Sequence, residues 1–296
     1  QSGAMVLLSH LMAERRYALS FDFALIRRAT VFGWPLLLNG VLLFGVFNGE
    51  RLIVGRELGM SQLAVFSMAI TLTLTPTLVL AGATQSLFLP QLTASREREE
   101  SFRWYGTAAV EAGLAIGIVL ILGIVLLGGP VVHLLLGPKY AAILGILVPM
   151  SVMQAVRVAK TGGSTVALAK ERSGNAAAGN LIRVLSLPVS WYAVTRTGDV
   201  LTVIYIALAA EVVGYLVSIR LAAKRTGLSL SPLVLPSALS ALACLAALVE
   251  AHYYPPQTGL VAQLGWTRWF AAFFCLAALL SMSALRGYLW RRFRLG

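Results

Sequence analysis

The sequence predicts an all-α, polytopic membrane bundle of about eight transmembrane helices, and three observations carry that reading. The chain of 296 residues is 58% hydrophobic and only 12% charged, far too apolar for a water-soluble globule. Eight stretches each hold the roughly 20 apolar residues that a membrane helix requires. Runs such as AGLAIGIVLILGIVLLGG are apolar all round, whereas barrel strands alternate in polarity along short segments.

Residues 1–32 come first. QSGAMVLLSHLM lacks a basic start and a clear cleavage site, so it reads as the end of a preceding helix rather than a signal peptide. AERRYALSFDFALIRR places Phe21, Ala24, Leu25 and Arg28 at helical spacing and is expected to form an amphipathic surface helix.

The expected spans are 33–55, 62–89, 105–127, 143–165, 176–195, 200–219, 233–252 and 267–286. The first six, within residues 33–225, form one expected membrane lobe. Residues 226–296 supply two further spans and a basic tail. Pro35, Pro76, Pro90, Pro149 and Pro188, with Gly162 and Gly163, interrupt the helices and permit bends. Cys244 and Cys275 lie in apolar runs and read as small buried hydrophobes.

Orientation follows from the cations. One face collects sixteen: Arg15, Arg16, Arg27, Arg28, Arg96, Arg98, Arg103, Lys170, Arg172, Arg220, Lys224, Arg225, Arg286, Arg291, Arg292 and Arg294. The opposite face holds four, Arg56, Lys139, Arg196 and Arg268. The expected topology therefore puts both ends of this segment in the cytoplasm. Trp34, Trp104, Tyr140, Trp191, Trp266 and Tyr288 fit interfacial anchoring.

Charges inside spans are costly, about 2.5 to 3.5 kcal/mol each even on lenient insertion scales, and so mark a protein interior or a wet cavity. Those left inside are Arg51, Arg157, Lys160, Arg183, Glu50, Glu111 and Glu211. A rise of about 1.5 Å per residue puts Arg157, Lys160, Arg183 and Glu111 roughly 7 to 10 Å below the basic face. The expectation is a mostly cationic ring in which Arg157, Lys160 and Arg183 bind an anionic group. Snorkelling to the headgroups is the bland alternative, with Glu111 as a salt-bridge partner for one arginine. Glu211 lies mid-span in IALAAEVVGYLV. It reads either as a hydrogen-bonded carboxyl or as a candidate for ion or proton coupling. Glu50 and Arg51, toward the far end of the first span, read as structural charges of opposite sign that pair with different helices. Asn39, Asn48, Gln154 and Asn180 read as interhelical glue or as the lining of a sugar path.

Several classes are disfavoured. The loops are too short for a soluble catalytic or ATP-hydrolysing domain, and no phosphate-binding loop, CxxC or HExxH motif occurs. No cofactor, metal site or nucleic-acid partner is expected, and the chain is read as a non-enzyme. A membrane-embedded glycan polymerase or ligase is the enzyme alternative, built on His133, His252 or Arg268 near YYPPQTGLVAQLG.

Gly33 to Thr93 resembles the start of the C-terminal lobe of Wzx-type polysaccharide flippases, in the multidrug/oligosaccharidyl-lipid/polysaccharide exporter superfamily. The residues that carry the likeness are Glu50-Arg51, where many members have Asp-Arg, then LIVG, ELG and AVFSMA. TVALAKERSGNAAAGNLIRV, Thr165 to Val184, is similar to that family's helix, basic turn and Asn-x-x-Arg segment. The resemblance implies translocation of an undecaprenyl-diphosphate-linked oligosaccharide for surface polysaccharide synthesis. Membrane lipids and the polymerase machinery are the implied partners. It also implies a partner lobe of six helices, so that these residues correspond to a second lobe with two extra helices. A small-molecule exporter of the same superfamily is the alternative transport reading.

Overall fold

The structure, a computed structural model, describes residues 2–12, 22–254 and 268–295. Arg15, Arg16, Phe21 and most of the loop between Tyr253 and Arg268 lie outside the described residues. The helices are α1 (Ser2–Leu11), α2 (Phe23–Glu57), α3 (Gly59–Ala94), α4 (Glu99–Leu136), α5 (Leu144–Ala169), α6 (Gly174–Thr197), α7 (Val200–Thr226), α8 (Ser231–Tyr253), α9 (Trp269–Ser281) and α10 (Ser283–Leu295). A 3-10 turn, Pro138–Ile143, leads into α5.

Among the described residues, six helices are long and apolar enough to cross a membrane: α2, α3, α4, α5 with its 3-10 lead, α7 and α8. The count becomes seven if α9 and α10, bent by 62° at Met282, form one broken span. α6 is helical over the whole expected span, but Asn175, Asn180, Arg183 and Ser186 dilute its apolar surface and it is not among the six. The count thus stands at six to seven rather than eight.

Of the expected surface helix before the first span, residues 13–21 lie outside the described residues, and the remainder is continuous with the first span. Asp22 caps α2, its Oδ1 accepting from the Ala24 amide at 2.9 Å, so Ala24, Leu25 and Arg28 form the first turns of one helix of 35 residues. At about 1.5 Å per residue, that helix extends well beyond a hydrocarbon core of about 30 Å.

α5 is the centre of the bundle, with α4, α7 and α3 as its main neighbours. Where lipid is as apolar as leucine, helices associate by close packing rather than by the hydrophobic effect, and small residues make that packing possible. A methyl group on Gly162 would fall 2.5 Å from Val110 Cα and 2.6 Å from the Ala109 carbonyl oxygen, so α4 and α5 meet backbone to backbone. At the crossing of α6 and α7, a methyl group on Gly214 would lie 2.8 Å from the Gly179 carbonyl oxygen. Gly163 completes the packing: a methyl group there would lie 3.6 Å from Ser218 Oγ of α7, so α5, α6 and α7 are close enough for their polar side chains to meet inside the bundle.

Apolar clusters flank that point. On one side Ile53, Val54, Phe66, Ile70, Leu147, Met150, Val203 and Ile204 pack together. Towards the basic face, Phe88, Leu92, Phe102, Val110, Val166 and Tyr288 form a second cluster. α8 and α9 pack on α4 and α5 through Ile118, Ile121, Val152, Ala243, Ala247 and Ala271. Large apolar side chains such as Leu37, Phe44, Leu52 and Leu134 point outward, as lipid-facing positions do.

Candidate functional site

Arg157 and Lys160, three residues apart on α5, share a face because a helix turns about 100° per residue. Across from them α7 presents Glu211, whose carboxylate collects three cations. Arg157 Nε donates to Glu211 Oε1 at 2.8 Å, and Arg183 Nε of α6 donates to the same oxygen at 3.0 Å. Lys160 Nζ pairs with the other oxygen, Oε2. Glu211 is 0% exposed.

Arg183 also pairs through Nη2 with Glu50 of α2, and its Nη1 donates to Ser186 Oγ at 3.2 Å. Arg183 and Glu50 are each 1% exposed, so this half of the network is sealed. Glu50 on α2 thus pairs with a cation of another helix, because neighbouring helical residues such as Glu50 and Arg51 point in different directions. Arg51 Nε is buried without a hydrogen-bond partner among the described residues. Three cations meet two carboxylates, which leaves one surplus positive charge in the cluster.

Polar neighbours extend the network. Arg157 Nη1 donates to Gln154 Oε1 at 3.0 Å, and the guanidinium sits over the Phe47 ring at 5.0 Å. Lys160 Nζ donates to Asn180 Oδ1 at 3.1 Å, while Asn180 Nδ2 donates to Asn39 Oδ1 at 2.8 Å. Lys160 lies over the glycine crossing: a methyl on Gly179 would be 3.7 Å from its Cδ and one on Gly214 3.5 Å from its Nζ.

A cavity of about 390 Å³ opens beside this cluster, between α2, α3, α5 and α6 with Ser218 of α7 at its edge. Arg157, Lys160, Thr161, Ser164 and Thr165 form its α5 wall. Asn39, Gln85 and Asn180 add amides, and Leu43, Phe47, Leu78 and Leu168 add apolar surface. No carboxylate lines it. Arg157 and Lys160 thus face the cavity, whereas Arg183, Glu211 and Glu50 stand behind the wall. Arg157 Nη2 is buried without a hydrogen-bond partner among the described residues, so the site holds a guanidinium nitrogen whose hydrogen-bonding capacity is not filled.

Glu111 does not join the ring. Gly113, two residues on and so about 200° round α4, is the position that abuts α5. Glu111 Oε2 instead accepts the Leu285 amide at 2.7 Å, at the start of α10 just past the bend. Glu250 of α8 acts similarly on α9, accepting the Ala271 amide at 2.7 Å. Both carboxylates occupy the place where a helix leaves its first amides unpaired and where negative charge is favoured. Cys244 and Cys275 are free, and the described residues hold no cluster of metal-ligand type.

Sequence reasoning missed Glu50 and Ser186 as partners of Arg183, and Glu211 as the shared counter-ion. One signal was available: a mid-span carboxylate is cheap only beside a cation, and Arg157, Lys160 and Arg183 were the mid-span cations on hand. No curated protein matches this chain, and no solved structure does. Residues 1–144, which include Glu50 and Arg51 but end before Arg157, match the family model described as polysaccharide biosynthesis protein.

Proposed function

We propose that this protein takes part in moving a lipid-diphosphate-linked oligosaccharide across the bacterial inner membrane during surface polysaccharide synthesis. The observation that carries this reading is the placement of Arg157 and Lys160 on a carboxylate-free cavity wall, with their counter-ion Glu211 buried behind them. An anion entering the cavity meets the surplus positive charge without a competing carboxylate. The match of residues 1–144 to a polysaccharide-biosynthesis family model supports the same direction.

In this reading Arg157 and Lys160, which line the cavity, bind the diphosphate by charge-assisted hydrogen bonds. Asn39, Gln85, Thr161, Ser164 and Asn180 supply the donors and acceptors that sugar hydroxyls need. Arg183 is a positioning residue, holding α2, α6 and α7 in register through Glu50 and Glu211. Glu211 sets the geometry of Arg157 and Lys160; coupling to an ion or proton is a second role for the same carboxylate. An eight-span arrangement, with α6 and the bent α9–α10 pair each counted as a span, suits a lobe that rocks against a second lobe in alternating access. A small-cation exporter in the same fold is the weaker reading, because it would favour acidic lining.

The test is complementation of surface polysaccharide export by Arg157→Gln/Lys160→Gln. Loss of export at wild-type protein level supports the cavity assignment. Full export from that variant overturns it.

A further inference from the structure

A second charged feature lies at the basic face, separate from the cavity of Arg157. An open space of about 860 Å³ runs along the first turns of α2, lined by Leu25, Arg27, Arg28, Val31 and Phe32, with Glu171 of the α5–α6 turn at its edge. The turn is held to α2 by Ser173 Oγ, which donates to the Phe32 carbonyl at 2.8 Å. It is held to the α3–α4 turn by Lys170 Nζ, which donates to the Arg96 carbonyl at 3.0 Å. Glu171 adopts a left-handed backbone, φ 59°, uncommon for a residue with a side chain. That conformation sets its carboxylate against Arg96 at 2.9 Å.

Three arginines from three chain segments therefore surround one carboxylate. Arg96 bonds it, and Arg28 and Arg172 act on it electrostatically; together they hold the Glu171 carboxyl below its ordinary value. The carboxylate offsets one of these charges, so Arg28, Arg172 and the adjacent Arg27 remain in excess. Below them the α2 surface is apolar, with Val31 67% and Trp34 62% exposed. A cationic rim above an apolar slot, at the level where a helix leaves the bilayer, matches one kind of ligand: an anionic headgroup with acyl chains beneath it.

We propose that the cleft between the start of α2 and the α5–α6 turn is a binding site for an anionic glycerophospholipid. Arg27, Arg28 and Arg172 hold the phosphate, while Leu25, Val31 and Phe32 receive the upper acyl chain. The two arms of the ligand separate a lipid from free phosphate: only the lipid uses the apolar slot. Because residues 170–173 lead straight into α6, occupancy would brace the helix that carries Asn180 and Arg183.

The test is thermal unfolding of the full chain in neutral detergent, titrated with phosphatidylglycerol, phosphatidylcholine or glycerol phosphate. Phosphatidylglycerol is expected to raise the midpoint, and the other two are not. In Arg28→Gln/Arg172→Gln the phosphatidylglycerol needed for half the effect should rise about 25-fold, at about 5-fold per arginine near the headgroups. Arg28→Lys/Arg172→Lys should respond nearly as wild type does. An equal response of the wild-type protein to phosphatidylcholine or to glycerol phosphate overturns the proposal. So does an unchanged response in the glutamine variant. If that variant does not fold, the comparison of the three additives on the wild-type chain decides.

Discussion

Arg183 and Glu211, on adjacent helices α6 and α7, are joined at 3.0 Å in a setting where each side chain is 1% exposed. Taking two charges out of water is costly, and it is offset only when each finds several partners. Arg183 has Glu211, Glu50 and Ser186; Glu211 has Arg183, Arg157 and Lys160. The network is strong because it is shared, and for the same reason a single truncation leaves an unpaired charge behind.

Glu211→Gln is therefore expected to destabilise the protein by about 3–5 kcal/mol, the usual cost of breaking a buried pair. Denaturation in detergent micelles checks this, and a loss below about 1 kcal/mol would show that the three cations find other partners.

Arg183→Met should lower protein level sharply, because Glu50 then loses its cation. Adding Glu50→Leu should recover much of the loss, since replacing both members of a buried pair by apolar residues is close to neutral. A double-mutant cycle reads the coupling; strictly additive effects would contradict the contact.

Gly162→Leu should separate α4 from α5 and destabilise by about 1–3 kcal/mol or more, through overpacking against the Val110 backbone. Gly145→Leu is the control on the same helix, since a methyl group there meets nothing within 4 Å. Equal midpoints for the two variants would argue against backbone contact at Gly162.

The Arg96–Glu171 pair sets a pH dependence outside the bilayer. Hydrogen bonding and charge from Arg96 hold the Glu171 carboxyl below its ordinary value. The contact is fully present above the ordinary carboxylate range and is lost as pH falls through the lowered value. Carboxyl-carbon NMR should place the Glu171 midpoint low in the wild-type chain and higher in Arg96→Gln; identical midpoints would rule out the pair in solution.

Much of the fold was legible in the sequence because a bilayer demands long apolar runs, and the expected spans before residue 267 each fall on a helix. What escaped were features set by side chains rather than by hydropathy. Asp22 caps α2, which starts at Phe23, ten residues before the expected start of the first span, and Met282 marks a bend in what reads as one continuous span. The sequence also showed that Arg157, Lys160 and Arg183 share a level. It did not show which of them faces a cavity, because that depends on how α6 rotates against α7 at the Gly179–Gly214 crossing and how α5 packs beside them. Glu50 was expected near the far end of its helix, yet it meets Arg183. α6 starts at Gly174, so Arg183 lies about 14 Å along it, and a long side chain covers the remaining distance.

The most direct test of transport is to delete the gene and ask on which leaflet any lipid-linked oligosaccharide accumulates. Complete repeat units held on the cytoplasmic leaflet, with surface polysaccharide lost, are the expected result and identify translocation as the missing step. Accumulation on the periplasmic leaflet would mean that flipping proceeds without this protein and would contradict the proposed function.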